Sequence, residues 1–412
     1  MTIRIRMFFH WCTCSVLLGV HPLAQAQESL SLSGFATLGI SCFSNRDADF
    51  TYNTNPRGPG RSKHCDSGLD SVLGVQADQR LTDTVDGVAQ VTILRNADET
   101  YRPEFSLANI RWQVSDELTL RAGRVSNPMF LNSDFRLVHF ALPTARPATE
   151  VYGLSPTFTM DGVDAFYRQR IADWRTEIYV GLHNNTIEAA RSNSSRTDEA
   201  KTSALATLSI SVEHDALLIK ASASSGKLNY PTDTVDAILA GLRAVEPLSP
   251  GAAALADQLN PREVRLHLYS VGARYDESDW LVQGEIAARR FDSSFFRNSV
   301  AGYLTAAYRI GPWSPYATIA RRKSQGPLND SRAGPLNAIV STLLRSTNYS
   351  QSSITLGLSR ELGKGTVIKA QNLWLQPDRG SYGNSLLNAS PTYNLANPPR
   401  DRLVSINLNT VF

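Results

Sequence analysis

No uninterrupted apolar run of about 18 residues occurs in the body of this 412-residue chain, so helical membrane spans are excluded. Cysteine is scarce, at four residues, and two of those (Cys12 and Cys14) fall near the N-terminus. Only 19% of residues are charged, with neither an acidic nor a basic half, and nothing in that balance calls for nucleic acid. No heptad stretch, HExxH motif or Walker loop is present, which removes coiled coils, one class of zinc protease and phosphate-cradling NTPases. A mean hydropathy of −0.22 resembles that of a soluble protein. A transmembrane β-barrel has the same average, because only alternate residues meet lipid.

The first 26 residues have the order of an export leader. Arg4 and Arg6 are followed by the largely apolar Met7 to Val20, and Ala24-Gln25-Ala26 then has the small-x-small form of a signal-peptidase site. The alternative is a buried N-terminal helix. Cleavage would start the mature chain at Gln27, leaving residues 27–412 as one domain. Removing Arg4 and Arg6 from 41 basic residues leaves 39 against 38 acids, a net charge near +1. Cys42 and Cys65 would remain, and an even pair in an exported chain reads as a disulfide, with two free thiols as the alternative.

From Ser29 onward apolar residues recur with period two. Leu30, Leu32, Ala36, Leu38 and Ile40 alternate with Ser29, Ser31, Ser33, Thr37 and Ser41. The pattern returns along the chain and predicts about 16 strands, among them Leu69 to Leu81, Trp174 to Leu182, Ser203 to Glu213, Trp280 to Arg289 and Arg402 to Phe412. Connections alternate between short and long; His183 to Thr202, Ser225 to Arg262 and Arg322 to Gln351 read as long ones. Short periplasmic turns and long outer loops have that asymmetry. Trp174, Trp280, Trp313, Tyr275 and Tyr308 sit at strand ends, where an aromatic girdle belongs. The face opposite the apolar one reads as polar throughout, which suits a wet lumen and not a dry core. Within 225–262, Ile238, Leu239, Leu242, Val245 and Leu255 form an apolar helix face that Pro247 and Pro250 divide into two pieces. The fold class is therefore all-β, a transmembrane antiparallel barrel.

Three stretches resemble the general trimeric porins of Gram-negative bacteria. Leu120-Arg121-Ala122-Gly123-Arg124 closes a strand before the long insertion Asn127 to Pro156. Asp161-Gly162-Val163-Asp164-Ala165-Phe166-Tyr167-Arg168 forms the strand that leaves it. The last strand sets Val404, Ile406, Leu408 and Thr410 in register with a terminal Phe412, similar to the signal read by the barrel-assembly machinery. The resemblance implies a third loop (Ser126 to Thr159) folded into the lumen, a homotrimer in the outer-membrane lipid, and passive diffusion of small hydrophilic solutes without a cofactor. Arg146 to Gly153 departs from the strongly acidic third loop of that family, so the resemblance does not set the ion preference.

A pore selects by the charges at its narrowing. Loop candidates for the constriction are Asp134, Arg136, His139, Arg146 and Glu150; wall candidates by parity are Arg121, Arg168, Lys220 and Arg289, with Asp164 and Glu285 on the same face. The arginines among them would also suit a substrate-specific path for a carboxylate. A barrel that merely anchors adhesive loops is the third reading. Enzymatic readings are weaker. His139, His183 and His214 stand at no spacing that pairs them with a nucleophile, and Asp215 beside His214 falls in a predicted short turn.

Overall fold

The computed structural model describes residues 30–52, 57–155, 159–194 and 196–412. The leader read in residues 1–26 lies outside them. Sixteen long strands form one antiparallel sheet: β1 (Leu30–Phe43), β2 (Val72–Thr82), β3 (Val85–Leu94), β4 (Glu104–Gln113), β5 (Leu118–Ser126), β6 (Thr159–Ile171), β7 (Trp174–Ala190), β8 (Thr197–His214), β9 (Leu217–Asn229), β10 (Val264–Glu277), β11 (Trp280–Phe291), β12 (Asn298–Tyr308), β13 (Trp313–Gln325), β14 (Gln351–Gly363), β15 (Thr366–Pro377) and β16 (Asp401–Val411). Each pairs with its sequence neighbours. β1 pairs on one side with β2 and on the other with β16, from Phe35 opposite Val411 to Phe43 opposite Leu403, so the sheet closes into a barrel. Closure leaves no strand edge unpaired.

The period-two pattern resolves into an outside and an inside. Leu38 is 69% exposed and Ile286 66%, and the same apolar parity recurs around the circumference at Val163, Ile319 and Ile406. So continuous an apolar surface is a lipid-facing belt. The opposite parity buries Thr207, Ser209, Ser270, Thr305, Thr318 and Gln371 inside. Trp280 and Tyr308 meet at the short-turn end, 4.7 Å between ring centres, and Trp313 lies under Arg360. The short turns place Ala172, Asp215 and Ser278 at φ near +50°, the left-handed geometry that two-residue hairpins need. Gly365 (φ +74°) meets the same demand, and a Cβ there would sit 2.7 Å from the Val411 carbonyl.

Several strand limits differ from the sequence reading. His183 to Thr202 is not a loop: β7 and β8 continue to Ala190 and Thr197, and only six residues join them. Arg322 belongs to β13, not to the loop that follows. A bulge at Ala204 (φ +48°) shifts the β7–β8 and β8–β9 registers, so Ser203 turns outward instead of into the lumen. Leu69 precedes β2 and packs in a small core with Phe43, Phe50 and Leu403 beneath the first and last outer loops. Nor is the inner face polar throughout: Leu205, Leu228, Leu266, Leu268 and Phe291 line the outer half of β8–β11.

Two features organise the outer end. The disulfide between Cys42 and Cys65 fastens the first outer loop to β1. Closing a segment of 23 residues restricts the unfolded chain and so stabilises the folded one by about 3 kcal/mol. The Cys42→Ser/Cys65→Ser variant should keep the barrel but make the first loop protease-sensitive, and mapping the cleavage sites checks this; an unchanged cleavage pattern would remove the bond's role. The second feature is a helical cap. α2 (Asp233–Ala244) starts at Thr232, whose hydroxyl accepts from the Val235 amide at 3.2 Å, and α3 (Ala252–Gln258) follows beyond Pro247 and Pro250. Leu239, Leu242 and Leu255 bury against Phe295 and against Val340 and Leu344 of α4 (Asn337–Ser346).

Candidate functional site: the in-folded loop and its facing wall

The connection from β5 to β6 enters the barrel as irregular chain. Pro128, Pro143 and Pro147 prevent a long helix, and only short turns form, at Ser133–Phe135, His139–Ala141 and the four-residue α1 (Thr149–Tyr152). Irregular backbone inside a membrane barrel leaves carbonyls and amides that need partners. The wall supplies them. Lys369 of β15 donates to the carbonyls of His139 (2.7 Å), Leu142 and Thr144. Arg289 of β11 donates to Leu154 (2.8 Å) and Arg322 of β13 to Gly153 (3.2 Å). Glu285 accepts from the Leu131 amide and Gln371 from the Ala145 amide, both at 3.1 Å.

Two charged side chains of the loop itself are fixed in the same way. Arg146 donates from Nε to Asp70 (2.8 Å) and from Nη2 to both Asp70 and Ser405 (2.7 Å), bridging loop, β16 and the segment before β2. Burial pushes the Asp70 carboxyl up, but the Arg146 charge and its hydrogen bonds outweigh that and hold it below the usual carboxylate range. Glu150 is 1% exposed and accepts from Gln351 of β14 at 2.7 Å. His139 is also buried, and loss of water pushes its pKa down to about 4, so the ring is neutral. Arg136 donates to the Ser155 carbonyl (3.2 Å) and lies over the Tyr152 ring. Arg136, Arg146 and Glu150, candidates for the constriction in the sequence, are each buried and hold the loop in place.

A crevice of about 30 Å³, space for a couple of waters, lies between α1 and the wall of β11–β15. The loop is seated on β9–β16, and its other side faces β4–β7. There Arg121 grips Asp164 with three hydrogen bonds, two from Nε (3.0 and 3.3 Å) and one from Nη2 (2.8 Å). Tyr179 donates to the same carboxylate (3.2 Å), and the buried His183 approaches it at 3.4 Å. Arg168 pairs with Glu177 at 2.7 Å, and both arginines lie 4.9 Å from the Phe166 ring. The loop contributes Asp134, which is exposed, accepts from Ser126 (2.8 Å) and stands within electrostatic reach of Tyr179. Lys220 lies apart, within reach of Glu285.

Arg111 completes this wall, close enough to feel Arg121, Arg168, Asp78 and Asp86. Sequence reasoning passed over it because β4 alternates poorly. Its signal was the placement between outward Ile110 and Trp112. His183 is enclosed by Asp164 and Tyr179, and His214 pairs with Asp215 at an exposed turn beside Trp174.

This geometry is that of the porin fold: a closed antiparallel barrel of sixteen strands with its third loop inside. No protein-family model matches the chain, and no curated protein matches it in sequence. Solved structures do match in shape. The outer-membrane channel DcaP of Acinetobacter baumannii superposes with a TM-score of 0.57 at 12% identity, over 93% of this chain and 97% of that one. The anion-selective porin of Comamonas acidovorans gives 0.55 at 10% identity, over 93% and 99%. The trimer form of OmpT from Vibrio cholerae gives 0.54 at 10% identity, also over 93% and 99%. At such identities the likeness establishes the fold.

Proposed function

We propose that the chain is an outer-membrane porin of a Gram-negative bacterium, a water-filled channel through which small hydrophilic solutes and ions diffuse passively. One observation carries this reading. Inside an apolar outer belt, the lumen wall beside the third loop carries Arg111, Arg121 and Arg168 with interleaved carboxylates, and the loop presents an exposed Asp134; this supports a charged narrowing between them. Opposed charges at a narrowing set the field that a passing ion meets. Assembly as a homotrimer is part of the proposal. It is supported by the trimer form of a structural neighbour and by an outward hollow on β4–β7 lined by Trp112, Leu120, Ala122, Val163 and Ala165.

The test is single-channel conductance of the refolded protein in a planar bilayer, with the reversal potential read in a salt gradient. Large steps in groups of three are expected. A demonstrably folded barrel that passes no current would sink the porin reading. Asp134→Asn should move the reversal potential toward anion preference. A unit charge about 4 Å from an ion in water is worth about 1 kcal/mol, a change of about five-fold in the permeability ratio.

A further inference from the structure

A cavity of about 310 Å³ lies in the outer half of the barrel, above the third loop and beneath the loops that carry the helical cap. Its walls are unusual for a wet lumen. Leu228, Leu268 and Phe291 project from β9–β11, and Tyr230, Phe296 and Tyr349 come from the loops above. Among the described residues, Arg289 is the one charged side chain on its lining.

Arg289 has fewer partners than Arg95, Arg121, Arg146, Arg297 or Arg322. Arg95, Arg121 and Arg146 each meet a carboxylate, Asp66, Asp164 and Asp70 respectively. Arg297 is held by three loop carbonyls. Arg322 is held by Gly153 and Asn384, with Glu150 in electrostatic reach. Arg289 donates one hydrogen bond, to the neutral Leu154 carbonyl, and rests 5.0 Å from the Phe291 ring. Its Nε has no partner, and it forms no ion pair among the described residues. Arg289 is half-buried, and a guanidinium partly withdrawn from water with a neutral carbonyl as its hydrogen-bond partner keeps donors available to an anion.

We propose that this cavity is a binding site for an organic anion with an apolar, ring-sized body, whose carboxylate pairs with Arg289 while its body lies among Leu228, Leu268 and Phe291. The geometry suits that chemistry on both counts. A guanidinium presents a fork of donors that a carboxylate accepts, and an apolar cavity of about 150 Å³ already holds a benzene ring. Ligand sites in proteins are of this kind, mostly apolar with few placed polar groups. A small hydrated ion such as acetate gains the charge contact but leaves the apolar walls unfilled. The channel therefore captures such anions ahead of its constriction, which diffusion of small hydrophilic solutes does not require.

Benzoate is the probe, with acetate and benzyl alcohol as the charge-only and ring-only controls. Binding to the folded, detergent-solubilised protein is measured by calorimetry, and block of chloride current in a planar bilayer is followed in parallel. Saturable benzoate binding at least about ten-fold tighter than either control is expected, a difference of about 1.4 kcal/mol. Arg289→Met should abolish the preference for benzoate over benzyl alcohol, and Arg289→Lys should restore part of it. Because Arg289 also touches the third loop, Leu228→Trp supplies an independent variant: it leaves the guanidinium in place, fills the cavity and should weaken benzoate binding. Equal affinity for benzoate and benzyl alcohol, or full benzoate binding by Arg289→Met, overturns the site. Binding without conductance would refute the diffusion channel and leave the site standing. Conductance without benzoate binding would do the reverse.

Discussion

Replacing Arg146 with alanine is expected to detach the third loop from the β1–β16 seam and raise the single-channel conductance. The guanidinium is 4% exposed as a residue and ties the loop to Asp70, Ser41 and Ser405 at once. Its removal leaves the Asp70 carboxylate buried without a countercharge, and breaking such a pair costs about 3–5 kcal/mol. The closed hydrogen-bond ladder does not include Arg146, so the loss falls on the loop and not on the barrel. Larger and noisier current steps, with unchanged heat-resistant mobility of the folded barrel, are the expected signature. The same contact sets an acid limit. The folded-state Asp70 carboxyl titrates below its ordinary value of 3.8, so its pairing contributes fully above that pH. The contribution is lost as pH falls from about 3.8 through the depressed value. Acid bathing solutions should therefore reproduce the Arg146→Ala current in the unaltered protein, and Asp70→Asn should show it at neutral pH. Identical steps from Arg146→Ala and the unaltered protein would dissolve this account of the loop.

Deleting Phe412 should sharply reduce assembly into the membrane while leaving the apolar periodicity of every strand intact. The last residue is stitched to the first strand from both sides: its amide donates to the Gly34 carbonyl at 3.0 Å and its carbonyl accepts from the Gly34 amide at 2.8 Å. Each such bond is worth about 1 kcal/mol. The ring, 66% exposed, points outward with Val404, Ile406 and Leu408, so it meets lipid. Gly34 makes room for it, since a Cβ there would lie 2.5 Å from the ring. Transfer of one large apolar side chain adds about 1.5–3 kcal/mol. The fraction of heat-modifiable protein in isolated membranes measures the outcome. A deletion that assembles normally would refute the reading of the terminal strand, and Phe412→Leu should fall between.

The barrel was legible in the sequence because lipid imposes one rule on every stave. Leu38, Val163, Ile286 and Ile406 obey it without reference to their neighbours. The apolar stretches of α2 and α3 were legible for the same reason, as a local period that Pro247 and Pro250 interrupt. The third loop obeyed no such rule. A charge in a polar loop reads as solvated, but Arg146 finds Asp70 across 76 positions and Glu150 finds Gln351 across 201. Nothing local encodes those meetings. The bulge at Ala204 defeated parity in another way, since one added residue reverses every side chain beyond it. The apolar vestibule wall was not legible because Leu228 falls in the stretch Ser225 to Arg262, whose sequence reads as a loop, while the strand in fact runs on to Asn229. Leu228, Leu266 and Phe291 lie at the outer ends of their strands.

The pairing of β1 with β16 also orders events in time. The first stave emerges from synthesis some 370 residues before the one that covers its second side, as Thr37 and its partner Asn409 show at a separation of 372. Until then an adhesive strip of unpaired amides and carbonyls stands beside Leu38 and Ile40, a template for any passing strand. The ring is therefore sealed only when β16 reaches β1, so the barrel's closing contact is also its longest in sequence.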